Sequence, residues 1–354
     1  MSEAFDLLVE CCRHSFAGDG QPRIDQMAAT ADWSLVLRLC RRHRVEALVW
    51  DALIGTDSVP ADAAAALRAD AIATTDHNLR SAAECARLAE AFGDRDIPLL
   101  FLKGLTLAAL AYPTPFLKMG WDIDILVAPD RVEESAALLH ALGYTAVLPE
   151  TDRFDRIVQW HRSRKESIWH TAERSFYVEL HSRLADNSRL LPDVGVHAPR
   201  QIVRVAPGLE LPTLADGELF AYLTVHGASS AWFRVKWIAD LAAFLHRSSV
   251  PIAELISLSQ QLGAGRAPAQ ALILADRLFR SLEGTDLRSQ LESDARSRWL
   301  ADSAYGALNG RRASTEPTAR PFGTVAIHLT QFALMPGLPF KLSESLRQAR
   351  YLFP

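Results

Sequence analysis

The stretch Trp121-Asp122-Ile123-Asp124-Ile125-Leu126-Val127 alternates polar and apolar positions as far as Ile125. A β-strand sends successive side chains to opposite faces, so a strand here carries Ile123 and Ile125 on one side and both aspartates on the other. The apolar side needs other elements to cover it. The acidic side is left for solvent, cations or a ligand.

Upstream, Ile97-Pro98-Leu99-Leu100-Phe101-Leu102 is a short apolar run ending in Lys103-Gly104, which reads as a buried strand feeding a tight turn. Thr106 to Tyr112 has helical composition, and Pro113 and Pro115 stop it. Downstream, Pro129 to Leu142 reads as a crossover helix closed by Gly143, and Tyr144 to Leu148 as another strand. Phe176-Tyr177-Val178-Glu179-Leu180-His181 repeats the alternation, with Val178 and Leu180 opposite Tyr177, Glu179 and His181. These pieces form a small sheet unit of roughly 90 residues, an ordinary size for a domain.

Both flanks are helical. From Phe5 to Phe92 apolar residues recur every three or four positions, with breaks at Asp32, at Ser58-Val59-Pro60 and at Gly93-Asp94. Helical periodicity returns beyond Pro212, clearest in Leu219 to Leu245 and Ile252 to Leu282, while Gly310 to Phe322 reads as an exposed loop or linker. The expected architecture is α+β: a mixed sheet domain over 94–186 between an N-terminal helical region, 1–93, and a mainly helical C-terminal region, 187–354.

The 354 residues are 49% hydrophobic and 23% charged, the balance of a globular chain and not of a disordered one. A net charge of −4 and a pI near 6.3 supply no global attraction to nucleic acid or an anionic membrane. Arg153 to Lys165 is a local basic patch, and Trp160 to His170 is both basic and aromatic. That composition suits RNA or an acidic partner, and equally an exposed loop beside the sheet. Cys11, Cys12, Cys40 and Cys85 lack the paired spacing of a zinc site or a disulfide framework, so they read as reduced thiols in helices. No apolar stretch has the length of a membrane span and the first residues lack a signal-peptide pattern; a cytoplasmic location is expected.

Two carboxylates two positions apart on one strand face lie about 7 Å apart at the backbone, close enough to converge on divalent cations. Magnesium needs few protein carboxylates because substrate phosphates complete its shell, and a third acid on a neighbouring strand, Glu179, suits a second ion. Two solvated aspartates at a sheet edge would give the same pattern. Context favours the site, since a strand, Lys103-Gly104 and a helix in succession can present backbone N–H groups to phosphates, although Lys-Gly alone is also a plain turn. His181 shares the Glu179 face and either meets a phosphate or assists proton transfer, or is a strand-end histidine bonded to backbone. Three acids this close repel, so one is expected to titrate high. On the same reasoning, replacing Asp122 and Asp124 by Asn leaves the metal-free protein at least as stable.

Leu102-Lys103-Gly104, Tyr112-Pro113, the 121–127 stretch and Val178-Glu179-Leu180-His181 together resemble the bacterial uncharacterised nucleotidyltransferase family of the DNA polymerase β-like superfamily. Val225-His226-Gly227-Ala228 with Trp232, Arg234, Lys236-Trp237 and Asp240 resembles its second block. The resemblance runs from about Trp33 to Leu245. It implies a nucleotidyltransferase-type sheet, Gly104 in a phosphate-binding turn, Asp122 and Asp124 as metal ligands, and Glu179 as the third acid, ligand or general base. The superfamily usually follows the glycine with serine, whereas here Leu105 follows, so a hydroxyl contact to phosphate is missing and the charge of Lys103 is expected to compensate.

In the helical block, a sheet-capping helix would bring a cation to a nucleotide phosphate, which makes His226 and Lys236 nucleotide-site candidates. Gly227 beside His226 suggests a close approach to that helix. Lys236 and Asp240, four apart, read as a solvated ion pair. The function expected is Mg²⁺-dependent transfer of a nucleoside monophosphate from an NTP to a hydroxyl of a small molecule or protein, with two ions. A non-catalytic nucleotide- or peptide-binding module on the same fold is the alternative, and a scaffold within a larger complex a third.

Overall fold

The computed structural model describes residues 2–309, 315–316 and 323–352. Five helices open the chain: α1 (Glu3–Ala17), α2 (Gln21–Ala28), α3 (Trp33–His43), α4 (Glu46–Leu53) and the long α5 (Ala61–Gly93). Their starts follow local chemistry. Asp32 caps α3 by accepting from the Leu35 N–H at 3.1 Å, which satisfies a donor the helix itself leaves free, and Pro60 immediately precedes α5.

The sheet follows. β1 (Leu100–Phe101) is only two residues long, because Lys103-Gly104 turns the chain into α6 (Leu105–Ala111). Gly104 has φ +62° and ψ −127°, a conformation that side chains with a Cβ avoid. β2 (Asp122–Leu126) is followed by α7 (Val132–Ala141), β3 (Thr145–Leu148), α8 (Phe154–His161), β4 (Glu166–Thr171) and β5 (Phe176–His181). The strand order is β1-β2-β5-β4-β3; β2 and β5 are parallel and the other pairs antiparallel. A parallel pair requires a long crossover, and α7, β3, α8 and β4 make up that connection. The chain is thus α+β, a mixed five-stranded sheet flanked by helices.

Part of the basic, aromatic 160–170 segment is β4, paired along both edges, and not a loop beside the sheet. Its buried positions are Ser167, Trp169 and Thr171, so two of three inward side chains are polar and hydrophobic alternation does not mark them. Two further strands that the sequence pattern does not announce, β6 (Arg200–Ala206) and β7 (Leu209–Leu214), form a separate hairpin. Thr213 of β7 donates to the Phe101 carbonyl at 2.6 Å. Helices α9 (Asp216–Ser229), α10 (Val235–Arg247), α11 (Ile252–Gln261), α12 (Ala267–Phe279), α13 (Leu287–Ser293), α14 (Ala295–Asn309), α15 (Val325–Gln331) and α16 (Leu338–Leu352) complete the chain. Most of the 310–322 stretch lies outside the described residues. Among them, no helix is long and apolar enough to cross a membrane, and all four cysteines are free and buried in helices.

Burial separates the two faces of the sheet. Ile123, Ile125, Val178 and Leu180 share a core with Phe92, Leu139 and Ile157. The larger core joins the first helices to the last ones, packing Phe5, Leu8 and Leu48 with Phe220, Ile238 and Leu272. Helices from both ends of the sequence thus close over the sheet, and the acidic face looks into the space beneath them.

Candidate functional site

Parallel pairing of β2 with β5 sets Asp124 opposite Glu179, and Asp122 opposite Tyr177. With a side-chain period of two, Asp122, Asp124, Glu179 and His181 fall on one face. The Lys103 ammonium, delivered by the Gly104 turn, donates to Asp124 Oδ1 at 2.8 Å. His181 Nε2 lies 3.2 Å from the same oxygen, 3.3 Å from Glu166 Oε2 and 3.4 Å from Glu179 Oε2. Lys165 pairs with its neighbour Glu166. Three carboxylates, two ammonium groups and one imidazole therefore form a single cluster.

Position within the cluster sets each charge. Burial, and then the negative Asp124, push the Glu179 carboxyl up to about 7. Burial also pulls Asp124 upward, but Lys103 and His181 together outweigh it and hold that carboxyl well below the usual range. Glu166 behaves likewise, kept at about 2 against burial by Lys165 and His181. Burial and Lys165 work against a proton on His181, yet Glu166, Asp124 and Glu179 hold it there and raise its pKa.

The cluster floors a cavity of about 440 Å³. Lys103, Gly104, Asp122, Asp124 and Glu179 line it, with Lys165 and Glu166 from β4 and its preceding turn. A Cβ built on Gly104 would touch nothing, so that turn needs glycine for its backbone angles and not for crowding. Leu105 is buried in the sheet core, and no hydroxyl follows the glycine. Lys103 does not stand free to replace one, being held by Asp124.

Helices α9 and α10 form the opposite wall, with His226, Lys236, Trp237 and Asp240 lining the cavity. Asp240 is not the solvated partner of Lys236. It is 4% exposed, lies 3.4 Å from the equally buried Lys118 ammonium and accepts from the Tyr112 hydroxyl at 3.0 Å. Lys118 reaches it because Asn78 of α5 donates to the Phe116 and Lys118 carbonyls, each at 2.8 Å, and pins that loop. Lys236 instead donates to the Met119 carbonyl at 3.1 Å, and burial together with Lys118 brings its amine down to about 7. His226 sits between Tyr222 and Trp237, and burial, then Lys103, hold it well below its ordinary value. The close approach at Gly227 is made by Trp232, whose indole lies 2.4 Å from where a Cβ would stand.

Lys118 and Arg44 line the cavity but carry no mark in the sequence that singles them out; Lys165 and Glu166 line it too, from the basic, aromatic segment whose composition points to RNA, an acidic partner or a loop and not to this cluster. Gln331, Glu344 and Arg347, which complete the rim from α15 and α16, carry no such mark either. Each is placed by chain segments distant in sequence.

The donor set fits a divalent cation. Carboxylate oxygens of Asp124 and Glu179 lie within 4.8 Å of each other, Asp122 faces the same cavity, and carboxylate oxygens suit Mg²⁺. The raised Glu179 marks excess negative charge that a cation relieves.

The chain belongs to the uncharacterised nucleotidyltransferase family, whose model matches residues 29–280. That span holds Lys103-Gly104, every acid of the cluster and the α9–α10 wall, and it ends before Gln331, Glu344 and Arg347. A search of curated proteins finds no match.

Proposed function

We propose that the chain transfers a nucleoside monophosphate from an NTP to a hydroxyl of a small molecule or protein, in a Mg²⁺-dependent reaction. The observation that carries this reading is the pairing of Asp124 with Glu179 on one rung of parallel strands, at the floor of a cavity whose walls present Lys103, Lys118, Lys165 and Lys236. Acids beneath and lysines around suit a polyphosphate brought in with a cation. Family membership supports nucleotidyl transfer in general.

Asp122, Asp124 and Glu179 are the residues that would hold Mg²⁺. When bound, the ion supplies charge neutralisation and orientation at the transferring phosphate. The acceptor hydroxyl oxygen forms the new bond to the α-phosphorus, the bond to the bridging oxygen breaks, and pyrophosphate leaves. Glu179 receives the hydroxyl proton. Lys236, on the opposite wall of the cavity, faces the charge that accumulates on the departing phosphates, and the Gly104 turn lies beside them. Such catalysis consists mainly of positioning and preorganised charge.

A second reading, a nucleotide-binding or peptide-binding module without turnover, draws on the buried Leu105 and on Lys103 being engaged by Asp124. The test is pyrophosphate release with each of the four NTPs and Mg²⁺, with cell metabolites and proteins supplied as acceptors, alongside equilibrium nucleotide binding. Release that Asp124→Asn abolishes supports transfer. Mg²⁺-dependent binding without release supports the second reading, and neither binding nor release overturns both.

A further inference from the structure

Asp124 Oδ1 is shared by two side chains of the protein itself, the Lys103 ammonium at 2.8 Å and His181 Nε2 at 3.2 Å. Neither contact is loose. The Lys103 side chain is 14% exposed and that of Asp124 2%, and the lysine backbone is fixed on both sides. Thr106 Oγ1 donates to its carbonyl at 3.0 Å, and the next residue is the left-handed Gly104. Glu166 repeats the arrangement with Lys165 and the same His181 nitrogen.

A dication sharing Oδ1 with this ammonium would meet like charge in a buried setting, where water screens it least. Moving Lys103 aside would leave a buried ammonium without its partner. Among the described residues, Asp122 and Glu179 form no lysine ion pair of this kind, and both face the cavity.

We propose that Lys103 is a built-in cation that takes the place of one of two metal ions, so that the site accepts a single divalent ion, the one that arrives with the nucleotide. This rests on the nucleotidyltransferase reading above and replaces its two-ion expectation. Lys103 is then a positioning residue that fixes Asp124.

The experiment counts bound Mn²⁺ by electron paramagnetic resonance, with the full chain saturated with α,β-methylene-ATP. Wild type is expected to hold one Mn²⁺ per chain, and Lys103→Met two, because removal of the ammonium frees Asp124 Oδ1. A count of two in wild type overturns the inference and leaves Mg²⁺-dependent transfer standing. A count of one in a folded Lys103→Met overturns it as well. No Mn²⁺ in wild type with nucleotide bound overturns both the inference and the transfer reading. The wild-type count decides the matter even if the variant does not fold.

Discussion

Asp124 and Glu179 stand on the same rung of the β2–β5 pair, yet their carboxyls are driven in opposite directions, one well below the usual range and the other up to about 7. Lys103 is the difference. It lies against Asp124, which leaves Glu179 to take the consequences of burial beside a charge that remains.

That asymmetry separates the two aspartates of β2. On repulsion alone, replacing both by Asn leaves the metal-free protein at least as stable, but the structure gives the opposite sign for Asp124. Asp124→Asn strands a buried ammonium and is expected to cost about 3 kcal/mol, whereas Asp122→Asn, at the half-buried start of the strand, should leave metal-free stability within about 0.5 kcal/mol. Urea unfolding of the two single variants without metal measures this. Equal stabilities would show that the Lys103 contact contributes nothing.

Ligand linkage gives a complementary readout. Wild type at a hundredfold excess of Mg²⁺-ATP over its dissociation constant should gain about 2.7 kcal/mol, while Asp122→Asn/Asp124→Asn should gain nothing from Mg²⁺-ATP or Mg²⁺-GTP. Pyrophosphate release should fall on the order of a hundredfold or more in the same variant. Thermal melts with and without the nucleotides check the first, and an equal upward shift in both proteins would show that these acids do not hold the ligand.

Gly104→Ala tests the turn. Nothing lies within 4 Å of the added methyl, so the cost comes from the backbone angles alone, about 1–3 kcal/mol. Chemical denaturation reads this loss. A neutral result would mean that the turn relaxes to ordinary angles without penalty.

The Lys118–Asp240 pair should be costly to break and cheap to replace. Lys118→Met alone leaves a buried carboxylate and is expected to lose about 3–5 kcal/mol, while Lys118→Met/Asp240→Leu should recover most of it. The Tyr112 hydroxyl, which bonds Asp240, limits the recovery. A double-mutant cycle in urea gives the coupling, and strictly additive losses would contradict the buried pairing.

Acid sensitivity should arise partly from His43. Burial, then Arg42, lower its pKa to about 3, so the folded protein keeps it neutral while the unfolded chain takes up a proton near pH 6.5. The unfolded state therefore binds more protons below pH 6.5. This residue's contribution is complete above that pH and is lost as pH falls toward 3, at about 1.4 kcal/mol per pH unit for the one group. His43→Gln should flatten the stability slope between pH 6 and 4, followed by denaturation at each pH, and an unchanged slope would place the acid sensitivity elsewhere.

Alternation in 121–127 and 176–181 was enough to mark β2 and β5 and to put Asp122, Asp124, Glu179 and His181 on their strand faces, because side-chain direction in a strand depends on nothing beyond its own backbone. The Gly104 turn is equally local: its backbone angles require glycine. The partners of these residues are not local. Lys165 and Glu166 enter through β4, whose buried side chains include Ser167 and Thr171 and so carry no apolar rhythm. Lys118 meets Asp240 across 122 residues of chain because Asn78 holds its loop. Helical spacing joined Asp240 to Lys236 only because periodicity registers neighbours on one helix and is blind to what packs against it. Local pattern is enough to place the acids of β2 and β5 on their strand face; which charges join them and how each is matched depends on burial and on opposition across elements, which exist only once distant segments are brought together.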